Sequence, residues 1–595
     1  MTTNCRSVRR CSALCAIIIL LVAALPFYAQ EPAKSPEISR LIDTAKIWIA
    51  VKYFHPYLAY KPIDWDKALI DALPKIRAAK TNDEYASALG SMLDVLHDPD
   101  TRVNATFAPA QAAATLRRTW VHRGFTPETG EPKQSFYASF QYAVTPWPVT
   151  TEIPAGPGVF AQIRLDQLAT RDGDAPVARP DSYPPGAYPS TEYRILAVFK
   201  IWGVIHHFFA YRDLMDEDWD DVFASFLPRF IAAKDAREYN LTVAEMMAHT
   251  LDSNVSVSSD ELNQYFGTAT VGLRLRLVER KPVITEILDA KASDAGVHVG
   301  DIVARVDGNP VAQRFNRIQD YICGSTAQRR GYDSLQLVLN GAEGSTAKLM
   351  IATQDGTTKE IELQRTIDFT KAPTNERKST PIHMLAGNIG YADLTRLPDD
   401  QFPAIFEEFQ SATGIIFDAR GPVSPAARSI AAHLTSATDV AGAIITGPVA
   451  LSPDVPTTRS LTDTASYFFV EKVPSAATPQ YKGKTAMLID ERTIGAAEHL
   501  GLWLEAANNT AFIGSPSAGA DGETSNFILP GGILVTFSGQ DVRHGNSGKL
   551  QRLGLQPAVV VTPSINGIGQ HRDEELDKAV EYLSAETHTT RAALR

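Results

Sequence analysis

The sequence predicts a multidomain protein with α+β and α/β parts, and three observations support this prediction. A helical pattern near the N-terminus recurs later in the chain with a constant offset. Strand and turn patterns replace it between residues 263 and 366. From residue 381 onward, short apolar runs alternate with helical patterns, which is typical of parallel crossover units. A chain of 595 residues is long enough for several such domains.

These patterns divide the chain into consecutive segments. They are a signal peptide (1–30), a first helical module (31–105), a β-rich insert (106–170), a linker (171–190), a second helical module (191–262), a β domain (263–366), a connector (367–380) and a C-terminal α/β domain (381–595). Pro- and Gly-rich composition marks the linker, and polar residues mark the connector. The sequence assigns no function to the insert.

The composition is that of an ordinary globular protein, with 44% hydrophobic and 21% charged residues. The formal net charge of −11, without a long basic run, argues against nucleic acid as a partner. No His-Glu-x-x-His motif and no paired-cysteine spacing occurs, so we expect no metal and no cofactor. The sequence leaves the oligomeric state open.

The first 30 residues have the pattern of a secretory signal peptide. Three arginines precede an apolar stretch at 16–27, and the small residue Ala29 follows it. We therefore expect export to the periplasm or the extracellular space, with no integral membrane span in the mature chain. An uncleaved N-terminal anchor is the alternative. Three of the four cysteines lie in this segment, so only Cys323 would remain and no intramolecular disulfide is expected.

The helical pattern of residues 42–103 returns 154 residues later without an insertion, as the step from Trp48 to Trp202 shows. The same offset relates Phe54 to Phe208, Tyr57 to Tyr211, Asp64-Trp65-Asp66 to Asp218-Trp219-Asp220, Pro74 to Pro228, Tyr85 to Tyr239 and Asp98 to Asp252. The sequence therefore predicts a duplicated helical module. We expect its aromatic residues to pack in the core.

Strand-forming runs and an Asp307-Gly308 turn characterise the predicted β domain. Its stretch AGVHVGDIVARVDGNPV resembles the central part of PDZ domains. That resemblance implies that an extended peptide adds as a strand and that backbone N–H groups near Gly272 and Leu273 bind the terminal carboxylate. A PDZ-shaped spacer without a peptide ligand is the alternative.

The C-terminal domain contains the most informative stretch. An apolar run at 485–489 predicts a strand, apolar residues at three- and four-residue steps from Ile494 predict a helix, and 511–513 predicts a second strand. Thr493 is in the position of a helix N-cap. The spacing is that of a parallel crossover unit, so the loop before the helix should lie at the carboxyl edge of the sheet, where open α/β folds place their chemistry.

Three segments here carry a second resemblance: LIDERTIGAAEHLG, FIGSPSAGADGE and LQRLGLQP. They resemble the core of the C-terminal-processing, or tail-specific, serine peptidase family in its tricorn-like branch. The resemblance implies a ClpP/crotonase-like fold and a serine nucleophile three residues before Glu498. That position is Gly495 in this sequence. The family's base and third catalytic member correspond to Asn254 and Gln551.

The resemblance therefore implies catalytic positions without catalytic side chains. Glycine has no nucleophile, and an amide cannot act as a general base near neutral pH. Other members of the family use a lysine, and that position is Ala520 here. The oxyanion hole would be formed by the N–H groups of Gly421 and Ala496. The proline that follows Gly421 has no N–H to contribute.

We therefore expect an exported homologue of tail-specific peptidases that binds polypeptide C-termini or unfolded protein through its PDZ-like domain and does not hydrolyse them. One alternative is an active serine peptidase with substitute residues. The candidates are the hydroxyls of Thr493, Ser515, Ser517 and Ser525 and the imidazoles of His97, His499 and His544. Another alternative is a small-ligand binding protein on the same fold.

Overall fold

The computed structural model describes residues 35–104, 117–130, 137–144, 150–168, 182–368, 377, 379–453 and 466–593. The predicted signal peptide with its cysteines lies outside the described residues, as do parts of the predicted insert, linker and connector. Cys323 is buried as a free thiol. No helix in the described ranges combines the length and the apolar character needed to cross a bilayer.

The two helical modules have the same order of helices. The first contains α1 (Pro36–Phe54), α2 (Pro56–Tyr60), α3 (Trp65–Ala78) and α4 (Asn82–Leu93), and the second contains α5 (Thr191–Phe208), α6 (Trp219–Ala232) and α7 (Ala236–Ala248). The indole N–H of Trp65 donates to the carbonyl of Trp48, and that of Trp219 donates to the carbonyl of Trp202, both at 3.0 Å. The offset between the copies therefore relates their contacts as well as their sequences.

The two copies pack with corresponding positions facing each other. Gly203 of α5 corresponds to Ile49 of α1 by the same offset. A Cβ on Gly203 would lie 1.9 Å from Cδ1 of Ile49, so the isoleucine occupies the space that a side chain at 203 would need. Both copies contribute to one continuous apolar core.

The insert does not fold as a separate layer. Its strands are β2 (Arg117–Arg123), β3 (Ala138–Val144), β4 (Thr150–Pro154), β5 (Phe160–Arg164) and β6 (Asp166–Leu168). Strands β4 and β5 form a small sheet with β1 (Arg102–Val103) of the first module, in the order β1-β5-β4. Strands β2 and β3 continue a sheet begun by β19 (Ala441–Ala450) and β20 (Ser466–Lys472) of the C-terminal domain, in the order β20-β19-β2-β3. Strand β25 (Asp541–His544) also pairs with β19. The insert and the C-terminal domain therefore share a sheet.

A β domain follows the second module. Its elements are β8 (Ala269–Thr270), β9 (Leu273–Val278), β10 (Lys281–Ile287), α9 (Ala290–Asp294), β11 (Ile302–Val306), β12 (Asn309–Pro310), α10 (Val311–Gln319), α11 (Ala327–Gln336), β13 (Thr346–Ala352), β14 (Thr358–Gln364) and β15 (Ile367–Asp368). The main sheet is antiparallel in the order β14-β13-β11-β10-β9. Helix α11 packs against the edge strand β9, and this domain has its own apolar core.

The C-terminal domain is built on a mainly parallel sheet. Its elements are β16 (Ile382–Leu385), β17 (Ile389–Asp393), α12 (Ala404–Glu408), β18 (Gly414–Asp418), β21 (Lys484–Ile489), α13 (Ala496–Asn508), β22 (Ala511–Gly514), β26 (Val559–Val560), α14 (Ile565–Gly569) and α15 (Glu574–Ala593). The sheet order is β16-β17-β18-β21-β22-β26, and only β16 is antiparallel to its neighbour. The predicted crossover unit is therefore β21-α13-β22. A hairpin of β23 (Thr524–Leu529) and β24 (Ile533–Ser538) pairs with β7 (Ser256–Ser258), which precedes α8 (Asp260–Phe266).

Buried charges fix the carboxyl edge of the parallel sheet. Asp418 ends β18 and binds Arg420 at 2.6 Å, and the same guanidinium binds Asp573 at 2.7 Å and Glu575 at 2.5 Å. Although burial opposes it, the guanidinium groups of Arg377 and Arg420 hold the pKa of Asp418 well below its usual range. This network attaches the C-terminal helix to the sheet edge that carries the candidate site.

Two local predictions were wrong. Thr493 is not the N-cap of the crossover helix, because its hydroxyl donates to the carbonyl of Ala419 at 2.8 Å and accepts from the N–H of Asp490 at 3.1 Å. The N-cap is Gly495, and the helix begins at Ala496 rather than at Ile494. The threonine is instead used to join the ends of two neighbouring strands.

The contact between Gly203 and Ile49 leads to a prediction about stability. Gly203→Ala should lower the midpoint of thermal unfolding and destabilise the protein by about 1–3 kcal/mol, because the new methyl group overpacks the interface between the copies. Gly90→Ala in α4 is the matched control, since a Cβ there meets nothing within 4 Å. The control should stabilise the helix by roughly 0.5–1 kcal/mol. Equal unfolding midpoints for the two variants would contradict this account of the interface.

Candidate active site

The position predicted for the nucleophile lies in a sharp turn between β21 and α13. Gly495 has φ +56° and ψ −116°, a conformation that L side chains rarely adopt. Its N–H donates to the carbonyl of Ala520 at 3.0 Å. A Cβ built on Gly495 meets nothing within 4 Å. The turn thus has the strained shape of a nucleophile elbow, with open space where the side chain would be.

Glu498 holds this turn against the facing loop 517–521. Its buried carboxyl accepts hydrogen bonds from the Ser517 hydroxyl at 2.5 Å and from the N–H groups of Gly519 at 2.7 Å and Ala520 at 2.9 Å. It also accepts from the N–H of Gly495 at 3.3 Å. Burial raises the pKa of Glu498 to about 7, against the effect of these donors. The helix start and the loop are therefore held as one unit.

The predicted base and third catalytic positions meet at Asp252. Asn254 donates its backbone N–H to the Asp252 carboxyl at 3.2 Å, and its side-chain amide donates to the Ser538 hydroxyl at 3.2 Å. Gln551 donates to the same Asp252 oxygen at 3.0 Å and to the hydroxyl of Ser325 at 3.2 Å. Burial raises the pKa of Asp252. None of these side chains is an imidazole, so the cluster lacks the histidine that the family pattern has at position 254.

Gln551 and Gly495 are connected through the loop 517–521. The N–H of Arg552, next to Gln551, donates to the carbonyl of Gly519 at 3.1 Å, one residue before the carbonyl that receives the Gly495 N–H. The β domain covers the same loop. Thr326 donates to the carbonyl of Ala518 at 3.0 Å, and Gln328 donates to that of Ser517 at 3.1 Å. The structure therefore brings the predicted catalytic positions around one loop.

The two N–H groups predicted to bind the oxyanion differ in their hydrogen bonding. Gly421 has its N–H engaged with the carbonyl of Ala419 at 2.9 Å, so this N–H does not point to a ligand. Ala496 is the first residue of α13, and the first N–H groups of a helix have no partner within the helix. An oxyanion at this turn would therefore meet the N-terminal end of the crossover helix and not a two-donor hole.

The hydroxyl groups considered as substitutes are bonded to other partners. Ser517 binds Glu498 and accepts from the N–H of Leu555 at 2.7 Å. The Ser525 hydroxyl donates to the carbonyl of Phe125 at 2.5 Å, and that of Thr493 donates to Ala419. For Ser515 the structure gives only a backbone bond, from its N–H to Ile489. Within the described ranges, none of these hydroxyls is hydrogen-bonded to an imidazole.

Two of the candidate histidines are bound by carboxylates. His499, one turn into α13, lies between Asp521 at 2.8 Å and Glu471 at 2.6 Å. Although burial lowers it, these two carboxylates raise the pKa of His499 to about 9. His544 binds Glu505 at 2.7 Å. His97 follows a short helical turn, with φ +50°. His499 is therefore protonated at neutral pH and cannot accept a proton from a nucleophile.

Two hydroxyl–imidazole pairs occur on other elements. His122 of β2 lies 2.6 Å from the Ser139 hydroxyl and 2.5 Å from the carbonyl of Tyr53. Burial lowers the pKa of His122 to about 4, which makes it a weak base. His55 accepts the N–H of Tyr57 with one ring nitrogen and binds Asp98 and Thr101 with the other. His122 joins the insert to α1, whereas the partners of His55 lie within the first module. Sequence reasoning missed both pairs because no motif surrounds them.

The part of the chain that the structure describes contains no group of three His, Cys, Asp or Glu side chains able to hold a metal ion. The loop expected to bind a peptide carboxylate is closed in this conformation. Leu273 donates its N–H to the carbonyl of Val271 at 2.7 Å, and the carbonyl of Gly272 accepts from Leu288 at 2.8 Å. The edge of β9 is also occupied, since the Gln336 amide donates to the carbonyl of Leu275 at 3.1 Å.

The parallel sheet, the crossover helix and the turn at Gly495 form an α/β domain with a strained strand-to-helix turn at its carboxyl edge. Residues 388–561 match the family model of peptidase family S41, which confirms for this region the family recognised from the sequence.

Solved structures agree with this fold. Mature CPAF complexed with lactacystin is 13% identical, covers 67% of this chain and 98% of its own, and superposes with a TM-score of 0.52. A second structure of mature CPAF gives 13% identity, 66% and 96% coverage and a TM-score of 0.50. The photosystem II D1 C-terminal processing protease also matches, with 15% identity, 63% and 96% coverage and a TM-score of 0.37. No curated protein sequence matches the chain.

The salt bridges of His499 lead to a prediction about pH. The pKa of His499 is raised above its ordinary value of about 6.5, so this contribution to stability is complete below pH ~6.5 and is lost as the pH rises through about 9. Its upper limit is of order 3 kcal/mol. His499→Gln should therefore lower the unfolding midpoint at pH 6 more than at pH 10.

The control for this measurement is His383→Gln, because the His383 ring bonds the backbone carbonyl of Thr380 at 2.7 Å and lies against the ring of Tyr391, and among the described residues it forms no ion pair with a carboxylate. Its effect on the unfolding midpoint should not change with pH. A constant difference between wild type and His499→Gln from pH 6 to pH 10 would rule out the protonated salt bridge.

Proposed function

We propose that this chain is a non-hydrolytic homologue of tail-specific serine peptidases that binds polypeptide C-termini or unfolded segments. The observation that carries the proposal is Gly495. Acyl transfer by this family requires a hydroxyl at the elbow and a base that removes its proton. Position 495 has no hydroxyl and Asn254 stands at the position of the base, while the hydroxyls of Ser517 and Thr493 are hydrogen-bonded to a carboxyl group and to a backbone carbonyl.

The shape of the turn at Gly495 supports the binding of a polypeptide segment there. The turn at Gly495 has the backbone conformation of an elbow and leaves open space above it. The N-terminal end of α13 offers a positive partial charge to a carbonyl or carboxylate oxygen. A polypeptide segment could therefore lie at the turn without being attacked.

The β domain is the second element of the proposal, and we infer that it is PDZ-like. Arg276 of β9 binds Asp490 at 3.1 Å and Glu491 at 2.9 Å, directly before the elbow. A chain entering between β9 and α11 would thus lie beside the turn. Such binding requires the Gln336 amide to leave the edge of β9 and the Leu273 N–H to leave Val271.

We also propose that the protein is exported, on the strength of its N-terminal signal pattern. The mature chain would then work in the periplasm or outside the cell, where unfolded or newly exported polypeptides are available as partners. Sequencing the N-terminus of the secreted protein tests this part. A mature N-terminus that still includes residue 1 would exclude cleavage.

The proposal predicts no labelling of the wild-type protein by a fluorophosphonate probe and no cleavage of casein. The double substitution Gly495→Ser with Asn254→His should introduce labelling, because it supplies a hydroxyl in open space and an imidazole. The serine must accept φ +56°, at a cost of order 1–3 kcal/mol. The gain is therefore expected to be small, and mass spectrometry should locate the label at position 495.

The matched control is Gly495→Ala with Asn254→His, which carries the same backbone strain without the hydroxyl. It should remain unlabelled. Labelling or casein cleavage by the wild-type protein would instead support the alternative of an active peptidase.

Binding distinguishes the third candidate, a small-ligand protein. Peptides with a free C-terminal carboxylate should bind saturably, and the same peptides with an amidated C-terminus should bind at least several-fold more weakly. Equal binding of both forms would exclude recognition of the C-terminus.

A further inference from the structure

A second polar cluster lies in the β domain and includes none of the residues of the candidate active site. Its members are Arg314 and Arg317 on α10, Arg365 after β14, and Asn340 in the turn after α11. The cluster combines an excess of positive charge with a buried amide that has no partner.

The guanidinium of Arg314 has no carboxylate to balance it. It is half-buried and donates one hydrogen bond, to the backbone carbonyl of Asn340 at 2.5 Å. The charged or titratable groups that act on it are the cations Arg365 and Arg317 together with Asp307 and Tyr265. Burial, followed by the two neighbouring cations, lowers the pKa of Arg314. No carboxylate oxygen among the described residues forms an ion pair with it.

The carboxylate of Asp307, which acts on Arg314, is already bound to another arginine. Asp307 binds the guanidinium of Arg365 at 2.6 Å and accepts the N–H of Lys348 at 3.0 Å. Arg365 is itself fully engaged, since it also donates to the carbonyl of Leu339 at 2.9 Å and to the hydroxyl of Ser345 at 3.2 Å. Asp307 therefore neutralises Arg365 and leaves Arg314 and Arg317 uncompensated.

Asn340 is the independent second observation. Its side chain is fully buried, with 0% exposure, yet neither its amide nitrogen nor its amide oxygen has a hydrogen-bond partner. Buried side-chain amides are normally satisfied, and an exception indicates a missing water, ion or ligand. Asn340 lies against Arg314 through the hydrogen bond to its carbonyl. The residue with the unpaired amide therefore contacts, through its backbone carbonyl, a guanidinium that has no ion pair among the described residues.

We propose that Arg314, Arg317 and the amide of Asn340 form a binding site for an oxyanion, either a carboxylate or a phosphate. The planar guanidinium of Arg314 matches the geometry of both groups, and the Asn340 amide supplies a further N–H. Arg317, which is exposed, forms the entrance. The oxyanion replaces the missing negative charge at Arg314.

The carboxylate could be the C-terminus of a bound polypeptide, and only this identification rests on the proposed function. It would give the polypeptide tail a partner while the Leu273 N–H remains bound to Val271. A free phosphate presents the same chemistry without any polypeptide. The site itself therefore does not depend on whether the protein binds tails.

The test is the thermal unfolding midpoint of the full chain in phosphate and in chloride at equal ionic strength. The wild-type midpoint should be higher in phosphate, because an anion that binds only the folded state stabilises it. Arg314→Gln should abolish this difference. In chloride the variant should unfold no lower than wild type, because the substitution removes an uncompensated buried charge.

Two further variants complete the design. Asn340→Leu should reduce the phosphate effect while leaving the midpoint in chloride unchanged or higher, since it removes unpaired polar atoms. Arg280→Gln is the matched control, because Arg280 is exposed in the same domain and is not among the groups that act on Arg314. It should keep the full phosphate effect. A phosphate effect that survives in Arg314→Gln would overturn the site.

The source of the oxyanion is identified with two peptide arms. A peptide with a free C-terminal carboxylate and its amidated form are each added to wild type and to Arg314→Gln. Stabilisation by the free-carboxyl form alone, lost in the variant, supports a polypeptide tail; stabilisation by phosphate alone supports a phosphate ligand. If neither phosphate nor peptide stabilises the wild type, the site is refuted. Fluorophosphonate labelling of the wild type would contradict the proposed function without changing the result expected for stabilisation by phosphate.

Discussion

The candidate site depends on the buried carboxyl of Glu498. One side chain gathers the hydroxyl of Ser517, two consecutive N–H groups of the facing loop and the N–H of Gly495. A buried carboxyl is expensive unless every oxygen is hydrogen-bonded, so these donors are needed where they are. The turn at Gly495 and the loop 517–521 are therefore held in their mutual positions by Glu498, without a contribution from a side chain at position 495.

The duplicated modules use one corresponding position for two purposes. Asp98 of the first copy binds His55 at 3.0 Å and Thr101 at 2.7 Å within its own module, and it forms an ion pair with Arg164 of the insert at 3.1 Å. Its counterpart Asp252 binds Gln551 of the C-terminal domain and lies close to Ser325 of the β domain. The first aspartate therefore attaches its module to the insert, whereas the second is the point where the helical, β and C-terminal domains meet.

The sequence was sufficient to predict the crossover unit and the repeated helices, but not the pairing between strands that are far apart in the chain. The crossover unit β21-α13-β22 could be predicted because apolar periodicity is a local signal, and the constant offset predicted the repeated helices. The sheet shared by β2 and β19 could not be predicted, because strand pairing between distant segments leaves no local mark. Thr493 was misassigned for a similar reason, since its partner Ala419 directly follows another strand, β18.

In the candidate site, too, local sequence motifs were predictable and long-range contacts were not. The motif around Glu498 identified Gly495, Asn254 and Gln551 as family positions, and the structure places the last two around Asp252. No sequence signal could show that the N–H groups of Gly421 and Leu273 are engaged with backbone carbonyls. The uncompensated charge of Arg314 could not be predicted either, because it depends on the ion pair between Asp307 and Arg365.

The sheet that the insert shares with the C-terminal domain also has a consequence for biosynthesis. Strands β2 and β3 leave the ribosome long before β19 exists, so the earlier half of this sheet has an open edge during much of translation. Pairings between distant segments form slowly and expose apolar surface in the meantime. The nascent chain is therefore expected to need a chaperone until residue 450 has emerged.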